Sequence, residues 1–257
     1  MTAEGTRRRV LVTGGSRGIG AAICARLARR GDRVAIHCRS DVAAATRLRD
    51  ELAGDGHVIV TAELADTNEI STLVDTVVTE LGGVDVLVHI AGIFVDHPVA
   101  TTSFEDWITT WRRVLDVNLL AGAALAHRVV DHLLHRQEGP AGGRIVMVGS
   151  RGAYRGEPDA PAYGASKAGL HALAQSLAVA LAPHGIGVAA VAPGFIRTDL
   201  STERLNGPAG PGIRAQSPFG RVGEPEEVAA AVAWLAAPES LWATGTVIDV
   251  NGASYLR

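Results

Sequence analysis

Short β-branched runs alternate with longer amphipathic stretches along this chain, and that rhythm leaves few architectures open to it. The runs occupy residues 9–12, 34–38, 58–62, 84–89, 144–148, 186–191 and 247–250. Several are continuously apolar, as strands covered by helices on both faces should be; a strand with one wet face would alternate. Helical periodicity fills residues 19–30, 43–54, 69–81, 105–136, 162–183 and 225–236, with Asp41, Thr67, Ser103 and Glu224 as N-terminal caps or first-turn acids. The expected fold is α/β, a three-layer sandwich around a seven-stranded parallel sheet. No compositional break, repeat or low-complexity linker divides the chain, so one domain spanning 1–257 is expected.

Composition narrows the function classes. Apolar residues make up 47% and charged residues 20%, which suits a packed soluble globule. A formal net charge of −3 gives no electrostatic reason for a nucleic-acid partner. Arg7-Arg8-Arg9 is the only short basic run near a terminus and reads as a solvated flank of the first strand. Cys24 and Cys38 lack metal-ligand or redox-pair spacing, and two isolated thiols fit a reducing compartment. Cys24 falls on an apolar helical side and reads as a small core residue. Residues 1–9 are polar and basic without the apolar core of a signal peptide, and no apolar run reaches the ~18 residues of a membrane span. A cytoplasmic protein with no membrane partner is expected. The nine histidines are scattered without a metal-binding helix pair, so no metal site is expected.

Thr13-Gly14-Gly15-Ser16-Arg17-Gly18-Ile19-Gly20 joins the first apolar run to the first helical stretch. Strand, glycine turn and helix in that order form a phosphate cradle. Gly14, Gly18 and Gly20 permit a tight turn and close approach to a pyrophosphate, while the helix N-terminus offers unpaired N–H donors. The spacing is GxxxGxG rather than GxGxxG, and by itself it is compatible with an ordinary glycine turn. The second run ends His37-Cys38-Arg39-Ser40, with an arginine and a hydroxyl where a dinucleotide site selective for NAD commonly carries an acid. Arg39, Arg17 and Ser40 can offer donors to a 2′-phosphate, although Asp41 stands nearby; NADP(H) is therefore the expected cofactor.

Tyr163 and Lys167 lie four residues apart at the start of a helical stretch, on one face and one turn apart. An ammonium beside a phenol favours the phenolate and eases loss of the proton. Such a pair alone is usually a surface contact. Asn118 and Ser150 accompany it here, and with the glycine loop they point to a nicotinamide cofactor, a carbonyl and a proton donor.

Two segments interrupt the rhythm. Residues 135–143 read as a turn. Residues 198–223 hold too many glycines and prolines for a regular element and read as a lid over a substrate pocket.

With these motifs placed, the chain resembles the short-chain dehydrogenase/reductase family in its compact single-domain branch, from about residue 9 to 253. Within that family it looks most like the 3-oxoacyl-carrier-protein reductases. Residues 144–150 resemble the strand leading to the family's serine, and residues 191–198 resemble its nicotinamide-side turn. The resemblance implies a Rossmann-type sheet of order 3-2-1-4-5-6-7, reached by right-handed crossovers. It implies Tyr163 as proton donor, Lys167 as the group that lowers the phenol's pKa and holds the nicotinamide ribose, Ser150 as partner of the carbonyl oxygen, and Asn118 as holder of a relay water. The implied cofactor contacts are Gly14, Ser16, Arg17, Gly18, Ile19, Gly20, Arg39, Ser40, Glu63, Leu64, Ala91, Gly92, Tyr163, Lys167, Pro193, Gly194, Ile196 and Thr198.

Two departures stand out. His89-Ile90-Ala91-Gly92 replaces the usual Asn-Asn-Ala-Gly, so that His89 either substitutes as a hydrogen bonder or leaves a looser joint. Glu63 stands where Asp is usual. The implied activity is hydride transfer between NADP(H) and a ketone or secondary alcohol, with a 3-oxoacyl or polyketide-like substrate that can be carrier-bound. Sugar or steroid alcohol dehydrogenation and a non-catalytic cofactor-binding regulator are the alternatives. A hydrolase elbow around Ser166 fails, because no strand directly precedes that serine. Tyr154, Phe195, Arg197 and Phe219 are the expected substrate wall. A homo-oligomer, a tetramer before a dimer, is implied through the long helices and the C-terminal segment.

Overall fold

A computed structural model describes residues 7–257; residues 1–6, most of the stretch read above for a leader, lie outside it. In chain order the elements are β1 (Arg9–Thr13), α1 (Gly18–Arg29), β2 (Arg33–Cys38), α2 (Val42–Glu51), β3 (Val58–Thr61), α3 (Thr67–Leu81), β4 (Val86–His89), α4 (Phe104–Leu115), α5 (Ala121–His135), β5 (Arg144–Val148), α6 (Gly152–Arg155), α7 (Pro161–Leu181), β6 (Gly187–Pro193), α8 (Asp199–Asn206), α9 (Gly210–Ala215), α10 (Pro225–Leu235) and β7 (Val247–Val250). All sheet pairings are parallel, in the order β3-β2-β1-β4-β5-β6-β7.

Alternation along each strand sends side chains to two separate cores. Leu11, Leu87, Ile145 and Met147 pack with α3, α5 and α7 on one face. Val10, Val12, Val88 and Val146 pack with α1 and α10 on the other. Every residue of β4 and β5 is buried, which explains their unbroken apolar runs. The strand order reverses between β1 and β4, the place where open α/β sheets form a ligand crevice. Thr13 and His89 face each other across it.

Four local readings are corrected by the structure. Asp66, not Thr67, caps α3, its carboxylate accepting from Asn68 N at 2.8 Å. The stretch 105–136 is not one α-helix: a π-helical turn, Asp116–Leu120, separates α4 from α5 and carries Asn118. Residues 198–223 contain two short helices. α8 is opened by a capping box between Thr198 and Ser201, and Pro211 sits in the first turn of α9, where its missing N–H costs no hydrogen bond. Finally, the basic flank is only partly solvated, since Arg9 is held by Asp85 at 2.8 Å with both side chains under one-fifth exposed. Among the described residues no helix is long and apolar enough to cross a membrane.

Candidate active site

The glycine loop leaves β1 at the crevice. Gly14 (φ 64°) and Gly18 (φ 53°) are left-handed, a conformation that disfavours any side chain. Closeness matters equally: a methyl group on Gly20 would lie 2.1 Å from Gly14 O. Arg17 precedes α1 without a side-chain cap, and the first turn carries no acid, so its N–H donors and positive end are available to an anion. Ser16 is half-buried on this loop, and Ile19 packs onto the α1 core.

His37 holds the loop in place. Its Nδ1 accepts from Gly14 N at 3.1 Å while Nε2 donates to Ala62 O at 3.1 Å, so the ring is neutral with the proton on Nε2. Burial lowers its pKa and keeps that state. The loop is thereby tied to β2 and to the end of β3.

The two arginines of the outer end each face a carboxylate at long range. Arg17 lies 3.8 Å from Asp41, and Arg39 lies 3.9 Å from Glu63. Ser40 is exposed beside them, whereas Leu64 turns into the core and leaves only its backbone toward the crevice.

At the inner end, Thr13 Oγ1 accepts from Ile90 N at 3.2 Å and Ala91 N at 3.3 Å, and it lies 3.0 Å from His89 Nδ1. His89 therefore acts as a hydrogen bonder in the joint between β1 and β4. Burial first, and Lys167 second, depress its pKa to about 3, so it stays neutral and accepts the threonine proton. Asn118 is fully buried: Oδ1 accepts from Ile93 N at 2.7 Å, and Nδ2 donates to Ile93 O at 3.0 Å and to Ser166 Oγ at 3.1 Å. One amide proton pins the segment after Gly92 and the other ties Asn118 to Ser166 of α7.

Lys167, 3% exposed, donates from Nζ to Val148 O at 3.0 Å. A methyl group on Gly92 would lie 3.1 Å from Asn118 Oδ1 and 3.4 Å from Lys167 Nζ, so these groups converge on the Ala91-Gly92 turn. Ser150 Oγ accepts from Gly152 N at 3.0 Å and lies beside the Tyr163 phenol, whose ionised form its hydroxyl favours. Burial pushes the Tyr163 pKa above the ordinary phenol value despite the nearby Ser150 hydroxyl, and Glu157 adds to the rise. Burial also draws Lys167 down to about 8, and its Nζ sits 5.8 Å from the Tyr163 ring centroid. The expected lowering of the phenol pKa is therefore outweighed by desolvation in the protein alone.

The turn after β6 closes this end. Pro193 O accepts from Arg151 N at 2.9 Å, Gly194 N donates to Val250 O at 3.0 Å, and Ile196 bridges to Gly223. Thr198 Cγ2 lies 3.1 Å from where a methyl on Gly18 would stand, which brings the turn against the glycine loop.

The expected substrate wall is displaced. Tyr154 stacks on His171, Arg197 pairs with Glu224, and Phe195 and Phe219 line a separate cavity. Phe94 instead packs on Tyr163, and Arg204 of α8 covers its ring at 4.6 Å while pairing with Asp96 at 2.5 Å. Neither Phe94, Arg204 nor His37 carries a motif. Their roles arise from contacts between distant segments.

The family profile described as Enoyl-(Acyl carrier protein) reductase matches residues 14–253. The chain is 36% identical to a 3-oxoacyl-acyl-carrier-protein reductase of Vibrio cholerae over 246 residues, covering 96% of each. It is 38% identical to 3beta-hydroxysteroid dehydrogenase 1 of Eggerthella lenta, covering 96% of this chain and 93% of that one. A short-chain dehydrogenase of Burkholderia cenocepacia solved in complex with NADP superposes with a TM-score of 0.85 at 34% identity, covering 96% of this chain and 97% of that one.

Proposed function

We propose that this chain, which belongs to the short-chain dehydrogenase/reductase family, reduces 3-oxoacyl thioesters, carrier-bound or free, with NADPH. It is an NADP(H)-dependent oxidoreductase acting on a ketone or secondary alcohol. The carrying observation is that Asn118 and Lys167 meet at the Ala91-Gly92 turn, at the reversal of strand order, with Lys167 Nζ 5.8 Å from the Tyr163 ring centroid and Ser150 beside the Tyr163 phenol. One chain of 257 residues supplies both cofactor and substrate sites.

The protein's cradle fits the cofactor. A tight left-handed turn opens onto an uncapped helix N-terminus, and two loosely held guanidiniums stand at the outer end. Bound NADPH supplies the hydride. Ser150 holds the carbonyl oxygen, and Tyr163, kept neutral by burial, gives that oxygen its proton. Lys167, mostly protonated at neutral pH, stabilises the phenolate left behind. Asn118 positions the Gly92-Ile93 backbone, and a relay water would have to use its main chain or the second lone pair of Oδ1.

Residues 198–223 serve as a lid, supported by the stack of Arg204 on Phe94 over Tyr163. A homotetramer is favoured by apolar side chains left on the surface, including Phe104, Leu120, Val179 and Trp242, and by α4 burying only Val114 completely. The two free cysteines fit a cytoplasmic location.

Tyr163→Phe tests the assignment. Turnover of acetoacetyl thioester should fall at least ~100-fold while NADPH affinity, followed by its fluorescence, stays within a factor of two. Near-normal turnover overturns it. A 3-hydroxysteroid assayed in parallel tests the second reading, which the Eggerthella lenta relative motivates.

A further inference from the structure

Arg151 follows Ser150, yet its side chain leaves the catalytic crevice. It is 4% exposed, and Nη1 is buried with no hydrogen-bond partner among the described residues. Nη2 donates to Gln216 Oε1 at 2.5 Å, and Arg155 Nη1 donates to the same oxygen at 2.6 Å. Two guanidiniums thus share one neutral acceptor, an arrangement that repels unless an anion joins it. Arg151 lines a cavity of about 160 Å³ between the ends of β6 and β7 and residues 213–223, with Phe195 stacked 5.1 Å from its guanidinium.

The other charges of this region do not neutralise it. Glu227 on the cavity wall is held by both terminal nitrogens of Arg221 at 2.8 Å, and Asp249 by Arg257 at 2.8 Å. Glu157 is the remaining carboxyl near both arginines, one acid against two guanidiniums; burial raises its pKa. An excess of positive charge is left at the Arg151 wall of the cavity.

We propose that this cavity is a binding site for a small oxyanion, a carboxylate or a phosphate, received by Arg151, the one of the two guanidiniums on Gln216 that lines it. Its size sets the class: a cavity of ~150 Å³ holds a six-atom ring, so a phosphate or short carboxylate fits and a nucleotide does not. The anion would bridge the turn after Ser150 to the C-terminal end of α9, and so tie the 198–223 segment to the catalytic turn. This site goes beyond the reductase reading and does not depend on it.

Calorimetric titration of the full chain with malonate and with inorganic phosphate, at constant ionic strength and without cofactor, is the test. One saturable site per chain is expected. Arg151→Met should weaken it at least tenfold. Gln216→Glu, which places a carboxylate between the two guanidiniums, should do the same and raise the melting temperature without ligand. A 3-oxo dicarboxylate and its diester then separate the sources. Malonate competing with the acid but not the diester identifies the anion as part of the substrate; malonate competing with neither identifies a free ligand. An adventitious ion only, seen as no saturation or as equal titrations in wild type and both variants, overturns the proposal. Because calorimetry needs no turnover, that failure is distinct from failure of the reductase reading.

Discussion

The phenyl ring of Phe94 packs against the ring of Tyr163, centroids 4.9 Å apart and planes tilted by 57°. Phe94 is 40% exposed, so its outer edge meets whatever approaches the phenol. Phe94→Ala should raise KM for apolar 3-oxo substrates about fivefold, the loss of ~1 kcal/mol of apolar contact. NADPH affinity should stay unchanged. Steady-state kinetics across acyl chain lengths checks this, and a uniform fall in kcat with constant KM would assign Phe94 to supporting Tyr163 instead.

Cofactor preference rests on releasing two weak contacts. Arg39 must turn from Glu63, 3.9 Å away, toward a 2′-phosphate. A charge-assisted bond contributes ~1.5–3 kcal/mol before screening, so Arg39→Asp should weaken NADPH about tenfold to a hundredfold more than NADH. Glu63→Gln should tighten NADPH by up to about fivefold, because an exposed pair is worth ~1 kcal/mol or less. Equal effects on both cofactors would make Arg39 an ordinary surface residue.

His171 gives the fold an acid sensitivity. Burial, aided by Lys167, holds its pKa at about 4, against ~6.5 in the unfolded chain. Between those values the unfolded state binds the extra proton, so stability falls as pH drops. At about 1.4 kcal/mol per pH unit, His171→Leu should remove about 3 kcal/mol of the stability lost between pH 6.5 and 4. Urea unfolding of both proteins over that range is the measurement; parallel pH profiles would refute it.

Among the described side chains, the 198–223 segment has a small core of its own, Leu205, Ile213 and Val222, with Phe195 against it. So small a core predicts local opening well below the global unfolding energy. Amides of α8 and α9 should exchange much faster than those of β5 and slow on addition of NADP with a ketone analogue. Equally slow exchange with and without ligands would argue against a lid.

Much of this could be read from residue order. Runs 144–148 and 247–250 match β5 and β7 residue for residue; in β5 continuous burial leaves no ambiguity in the run. The π turn at Asn118 was hidden, since one inserted residue barely alters the periodicity of the long stretch 105–136. α8 and α9 were hidden by their prolines and glycines, which fall at helix starts and ends rather than interiors. Of the site, Tyr163, Lys167 and the glycine loop carry local spacing. The convergence of Arg151, Arg155 and Gln216 depends on two segments more than 60 residues apart and has no local signature.

The imidazole of His37, wedged between Gly14 N–H and Ala62 O, sets a boundary for anyone who would re-engineer this protein. The strand that selects the cofactor also moulds the loop that cradles it, and the two duties sit two residues apart. A graft that begins at Cys38 exchanges preference alone. One that begins at His37 and brings in a side chain without an acceptor strands the Gly14 amide, at a cost of ~1–3 kcal/mol. The seam between interchangeable and indispensable therefore runs between residues 37 and 38.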